Sequence, residues 1–232
     1  METLWNGVCM EDSLFRLGTD SVACAWFSRF PKASKICDLG CGSGAISLML
    51  LASDPSLTLT GIELMPQAAR TAKENAARNG LPFTVIEGDL RKIRELLPAG
   101  VMDGVITNPP YFPVGSGAAA KGMLAQARSE ETCTLPQLTA AISWLLKTGG
   151  RAVLVHRPER LADLIFHLKQ EQLEPKRIRF VRHRQESPVS LVLLEARKGG
   201  RPGLHYEHDL ILFDEHGETE EYKNMYHRQT KE

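Results

Sequence analysis

Thr107-Asn108-Pro109-Pro110-Tyr111-Phe112 brings a carboxamide, a prolyl carbonyl and an aromatic ring into one short run. It follows Met102-Asp103-Gly104-Val105-Ile106, an apolar stretch of a length suited to a buried strand. Two successive prolines donate nothing to a sheet ladder, so the strand stops there. The residue before each proline is held out of the helical region, so the chain stays extended. Asn108 and the Pro109 carbonyl are hydrogen-bond acceptors beside the face of Tyr111, a set suited to a planar group that carries an NH2. A strand that merely runs into a proline turn has the same sequence, so the rest of the chain has to decide between the two.

Three acidic residues share this placement. Lys35-Ile36-Cys37 reads as a strand leading into Asp38-Leu39-Gly40-Cys41-Gly42-Ser43-Gly44, and Ala45 to Leu51 reads as a buried helix. A glycine-rich turn between strand and helix lets a ligand approach the backbone closely. Gly40, Gly42 and Ala45 also satisfy a loose dinucleotide pattern, which leaves a nicotinamide or flavin reading open at this point. A second strand, Leu57 to Ile62, ends at Glu63, where a carboxylate can accept both ribose hydroxyls of an adenine nucleotide. A third, Phe83 to Ile86, closes on Glu87-Gly88-Asp89, placing Asp89 to accept from an adenine amino group, although Gly-Asp is also ordinary turn chemistry.

Helices over Pro66–Asn79, stopped by Gly80, and Arg91–Leu97 separate these strands. The alternation predicts an α/β, doubly wound, mostly parallel sheet with helices on both faces. Asp38, Glu63, Asp89 and Asn108 then all reach its carboxyl edge, where ligands bind in such sheets.

The remainder predicts a helix between Asp12 and Phe30, with Thr19 as its N-cap and Asp20 in its first turn. A helix over Leu135–Lys147 is expected to stop at Gly149-Gly150, followed by a strand Arg151–Val155 and a helix Pro158–Glu171. Strands near Ile178–Val181 and Ser190–Leu194 complete a set of seven, and Asp209–Asp214 reads as a short strand. The 113–134 stretch is a Gly- and Ala-rich loop directly after the presumed reacting site. Basic turns at 182–184 and 197–201 carry side chains able to touch phosphates.

With 28 basic and 28 acidic residues, overall charge argues neither for nor against a nucleic-acid partner. Cysteines at 9, 24, 37, 41 and 133 form no Cys-x-x-Cys pair and read as packing residues in a reducing compartment. The sequence predicts one domain over 1–232, with a lead at 1–34, a core at 35–198 and a tail at 199–232. It shows neither a leader signal nor a membrane span, so a cytoplasmic location is expected, and no His/Cys cluster has metal-ligand spacing.

Asp38-Leu-Gly-Cys-Gly-Ser-Gly44, Glu63, Asp89 and Asn108-Pro-Pro-Tyr111 together resemble the class I S-adenosylmethionine-dependent methyltransferases. The Asn-Pro-Pro-Tyr element is similar to that of the branch acting on planar amino nitrogens. From Phe15-Arg-Leu-Gly-Thr-Asp20 through Ala127-Arg-Ser-Glu130, the chain resembles the tRNA1(Val) adenine-37 N6-methyltransferases. That resemblance implies a Rossmann-like sheet of seven strands with an antiparallel last strand, S-adenosylmethionine as cofactor, and tRNA as partner. It implies that Gly40 and Gly42 meet the methionine part of the cofactor and that Asp38 binds its amino group. Glu63 with Leu64 would hold the ribose side, Asp89 and Leu90 would frame the adenine, and Thr19 and Asp20 would close over the methionyl end. Asn108, Pro109, Pro110 and Tyr111 would grip the target amino group. The stretch before Phe15 is shorter than in that family, and Lys121 is the only cation of the 113–122 segment. A glutamine side chain in a protein is the alternative acceptor, and a non-catalytic RNA-binding module the alternative of another class.

Overall fold

The computed structural model describes residues 2–3, 7–11, 18–109 and 133–226. Pro110, Tyr111, Phe112 and the predicted loop up to 132 lie outside these, as do residues 12–17.

Seven strands follow the predicted order: β1 Lys35–Leu39, β2 Thr58–Glu63, β3 Phe83–Glu87, β4 Met102–Thr107, β5 Leu146–His156, β6 Leu173–Arg182 and β7 Val189–Lys198. They lie side by side as β6-β7-β5-β4-β1-β2-β3. β7 runs antiparallel to both β5 and β6, and every other pair among the seven is parallel. The two-residue strands His205–Tyr206 and Leu210–Ile211 add in parallel to the outer edge of β6.

Helices α1 Thr19–Phe27, α2 Ala45–Ser53 and α3 Pro66–Arg78 cover one face; α4 Ile93–Leu96, α5 Leu135–Leu145 and α6 Leu161–Gln170 cover the other. The two-residue period of a strand sends successive side chains to opposite faces. In β5, Val153 and Val155 join the α1–α3 core, whereas Ala152 and Leu154 join the α4–α6 core. Being covered on both faces, β1, β4 and the second half of β5 are buried in continuous runs, as parallel strands are, whereas the outer β6 mixes buried and half-buried residues.

Several boundaries depart from expectation. Gly18, not Thr19, is the N-cap of α1, and Thr19 is its first helical residue. Gly149 and Gly150 do not stop α5; they lie inside β5, which pairs irregularly with β4 between Met102 and Gly104. The helix expected at Arg91 opens as a 3-10 turn, Leu90–Lys92, before α4. The last predicted short strand is two: Leu210–Ile211 on β6, and Phe213–Asp214, which forms a hairpin with Gly217–Glu218. The described part of the tail includes a helix that sequence patterning missed, α7 Glu220–Tyr226, which packs on α1.

Candidate active site

The strand order reverses between β1 and β4, which are parallel: β2 and β3 extend to one side of β1, and β4 and β5 to the other. A crevice opens outside the carboxyl ends of the strands at such a switch point.

Asp38, the penultimate residue of β1, is buried. Its Oδ2 accepts from the Ser47 hydroxyl on α2 at 2.7 Å, while Oδ1 has no hydrogen-bond partner among the described residues. Burial pushes the Asp38 carboxyl up to about 7; the Ser47 hydrogen bond opposes this and the nearby Glu63 adds to it. A buried acceptor left without a donor costs about 1–3 kcal/mol, so such an atom calls for a partner.

The loop after Asp38 hangs from the end of β2. Gly40 N and Cys41 N both donate to Ile62 O, at 2.8 and 3.2 Å. Gly40 has φ 73°, and a Cβ there would meet nothing within 4 Å, so the loop presents bare backbone to open space. Gly44 caps α2 at φ 88° and is confined, with Phe83 Cε1 3.1 Å from where a Cβ would stand.

Glu63 ties the two loops together. Gly42 N donates to its Oε2 and Met65 N to its Oε1, both at 2.8 Å. Burial raises the Glu63 carboxyl, against the pull of those amides. The Leu64 amide pulls the same way, and the four lone-pair sites of the carboxylate still leave room for a further donor. Leu64 beside it is exposed (41 %) despite its apolar side chain.

Asp89 stands apart. It caps the Leu90–Lys92 turn by accepting from Arg91 N at 2.9 Å, and its carboxylate also receives Arg91 Nε and Nη2. Arg91 holds its carboxyl below the usual range.

Asn108 follows β4 directly. Thr107 donates its hydroxyl to Leu39 O at 2.8 Å, tying this strand end to the β1 loop. Asn108 Nδ2 donates to Ser21 Oγ on α1 at 3.0 Å, and the Cys24 thiol lies 3.9 Å from Thr107 O. Pro109 is buried. Thr19 and Asp20 sit on the same first turn: Asp20 Oδ1 accepts from Ser21 N at 2.8 Å, and the Thr19 hydroxyl is 3.3 Å from the Tyr226 hydroxyl of α7. Pro110 and Tyr111 lie outside the described residues.

The fold therefore joins Asp38, Gly40, Gly42 and Glu63 directly, links Asn108 to them through Thr107, and leaves Asp89 with Leu90 two strands away from β1. Sequence reasoning missed Ser47 and Ser21. Ser47 carried a signal, as the one polar residue in the run Ala45–Leu51. Ser21 carried none, because only the packing of α1 across the sheet brings it to Asn108.

Among the described residues, no group of three or more His, Cys, Asp and Glu side chains could hold a metal ion, and no helix is long and apolar enough to cross a membrane.

Residues 17–161 match the family model of the methyltransferase small domain. A tRNA1(Val) (adenine(37)-N6)-methyltransferase of Porphyromonas gingivalis is 33% identical over 192 residues, covering 78% of this chain and 74% of that protein. One of the same name from Parabacteroides distasonis is 30% identical, covering 83% and 79%. Among solved structures, a predicted O-methyltransferase from Agrobacterium tumefaciens superposes with a TM-score of 0.73 at 22% identity, covering 89% of this chain and 95% of that one. A geranyl diphosphate C-methyltransferase from Streptomyces coelicolor A3(2), solved with S-adenosyl-L-homocysteine, gives 0.53 at 13% identity and covers 71% and 73%. At these identities the two structures speak for the fold alone.

Proposed function

This chain belongs to the methyltransferase small domain family and to the family of tRNA1(Val) (adenine(37)-N6)-methyltransferases, and we propose that it methylates the N6 amino group of an adenine in tRNA with S-adenosylmethionine as donor. The observation that carries the proposal is the junction of two sites on one sheet edge. The open glycine loop, with an Asp38 Oδ1 that has no partner among the described residues, is tied to the strand end carrying Asn108 through Thr107 and Leu39.

The residues fit the cofactor. A buried carboxylate oxygen without a donor suits the ammonium group of the methionine part, and bare backbone at Gly40 and Gly42 suits a close approach. In this reading Glu63 takes the ribose hydroxyls on its remaining lone pairs while still holding Gly42 and Met65. Leu64 and Leu90 cover the adenine, and Asp89 accepts from its amino group while sharing its carboxylate with Arg91. Thr19 and Asp20 border the methionyl end. When bound, S-adenosylmethionine supplies a methyl group on a positively charged sulfur.

An exocyclic amine is a poor nucleophile because its lone pair is delocalised into the ring. Asn108 and the Pro109 carbonyl, by accepting both N–H groups, would turn the nitrogen toward a tetrahedral form with a free lone pair. In this reading Pro110 restricts the backbone of the residue before it by the chemistry of its ring. Tyr111 stacks on the base, worth about 1–3 kcal/mol by analogy with aromatic platforms for nucleic acids. Positioning accounts for most of the acceleration, so the proposal asks for neither a strong base nor a metal ion. The adenine has to leave its stack to arrive. The reading takes 1–232 as one methyltransferase domain acting where tRNA is found, in the cytoplasm.

The test is incubation with methyl-labelled cofactor and, separately, unmodified tRNA and a cell protein fraction, followed by nucleoside digestion of the RNA. Label in N6-methyladenosine is expected. Label in a protein glutamine instead would overturn the acceptor, and failure to bind the cofactor would overturn the enzyme reading.

A further inference from the structure

Two asparagines one helical turn apart, Asn75 on α3 and Asn79 at its C-cap, take the place of a neighbouring strand. Asn79 accepts from Cys9 N at 2.8 Å and donates Nδ2 to Cys9 O at 2.7 Å. Asn75 repeats the pattern two residues on, accepting from Glu11 N at 2.9 Å and donating to Glu11 O at 3.1 Å. In an extended chain, the N–H and C=O of residues i and i+2 point to the same side. Two strand residues span about 6.6 Å and four helical residues about 6 Å, so i, i+4 amides on a helix can read i, i+2 peptide groups of a strand. The opposite edge of the segment pairs with Glu2–Thr3, and Val8 and Met10 are buried in the core.

Asn75 reaches further. Fully buried, it also donates Nδ2 to Ser43 O at 3.1 Å, inside the glycine loop. Arg78 reinforces the clamp from the same helix, bonding Asn75 Oδ1 at 2.9 Å and Glu11 Oε2 at 2.8 Å. One carboxamide therefore holds both the segment at residues 9–11 and the loop that carries Gly42.

We propose that Asn75 is a positioning residue for the glycine loop, and that docking of residues 9–11 on the Asn75/Asn79 clamp favours cofactor binding. This rests on the reading of that loop as the S-adenosylmethionine site. Losing the Asn79 bonds frees the segment, and Asn75, no longer held by Glu11, readjusts between Ser43 O and Arg78. Linkage makes the effect reciprocal: whatever binds the loop steadies the segment.

The experiment uses the full chain and S-adenosylhomocysteine. Asn79→Ala removes half of the clamp, and Glu11→Pro removes the N–H that Asn75 accepts. Neither touches the loop. Each is expected to weaken S-adenosylhomocysteine binding at least about fivefold by calorimetry, the low end of common couplings, and to raise KM for the donor with kcat kept. In the unaltered chain, the ligand is expected to slow hydrogen exchange at the Cys9 and Glu11 amides by a similar factor, a measurement that needs no variant to fold. Wild-type affinity in both variants, or amide exchange indifferent to ligand, would overturn the coupling. If the unaltered chain bound no S-adenosylhomocysteine, the cofactor reading would fall first and the coupling with it.

Discussion

Asn108 and Ser21 are 87 positions apart in the chain and meet at 3.0 Å, the carboxamide donating to the hydroxyl. That bond fixes which end of the Asn108 amide is turned toward α1. Rotation about the terminal torsion of an asparagine is soft, so an external partner has to set it.

Ser21→Ala should therefore lower the single-turnover rate of methyl transfer and leave cofactor affinity unchanged. A neutral hydrogen bond is worth about 0.5–1.5 kcal/mol net, or about 2- to 13-fold in rate. Ser21→Thr, which keeps the hydroxyl, should restore the rate. Asn108→Ala should abolish transfer while S-adenosylhomocysteine still binds. Full single-turnover rate in the Ser21→Ala enzyme would show that the amide is oriented by something else.

Glu63→Gln replaces an acceptor with a donor at one end of the side chain. Either Gly42 N or Met65 N then faces an NH2 group and loses its partner. The folded state should lose about 1–3 kcal/mol by denaturant titration, and calorimetry should show cofactor affinity lowered tenfold or more. Unchanged affinity would separate Glu63 from the shape of the glycine loop.

The Asp38 carboxyl, raised to about 7 by burial, gives a pH dependence of definite sign. Between about pH 4 and 7 the folded chain holds a proton that the unfolded chain has released. Stability from this group is complete below that window and is lost as pH rises through it. Affinity for a ligand that brings an ammonium group runs the other way, increasing through pH 7 as the carboxylate forms. Asp38→Asn should flatten both profiles, and S-adenosylhomocysteine titrations from pH 5.5 to 8.5 would show it. A wild-type affinity that falls across this range would place the ammonium group elsewhere.

Gly44→Ala should destabilise the chain by about 1–3 kcal/mol. The φ of 88° disfavours any side chain, and Phe83 stands 3.1 Å from the new methyl. Thermal unfolding would register the loss, and a melting temperature at the wild-type value would mean that the Phe83 ring gives way.

What could be read from the sequence is what local chemistry dictates. A strand ends at Thr107 just ahead of Asn108-Pro109, glycines bend the loop after Asp38, and apolar runs between helices make a parallel sheet, all of which appear in the fold. The α1 cap at Gly18 and the Gly149-Gly150 pair were misread because glycine marks bulges and caps with the same letter. Ser21, Asn75 and Asn79 were invisible for another reason. Each acts on a residue at least 64 positions away, and no local pattern records such a meeting. Asp89 kept its predicted position while its carboxylate went to Arg91, a neighbour two residues on whose reach the strand-end pattern ignored.

α1 is held from the far end of the chain. Arg177 stacks on Phe27 at 4.2 Å, Glu221 accepts from Trp26 Nε1 at 3.2 Å while pairing with Arg179, and the Tyr226 hydroxyl meets Thr19. The helix that carries Ser21 is therefore anchored by residues 177–226, whereas the glycine loop hangs on the end of β2. Shortening the chain from its C-terminal side is expected to disturb the Ser21–Asn108 bond before it disturbs that loop.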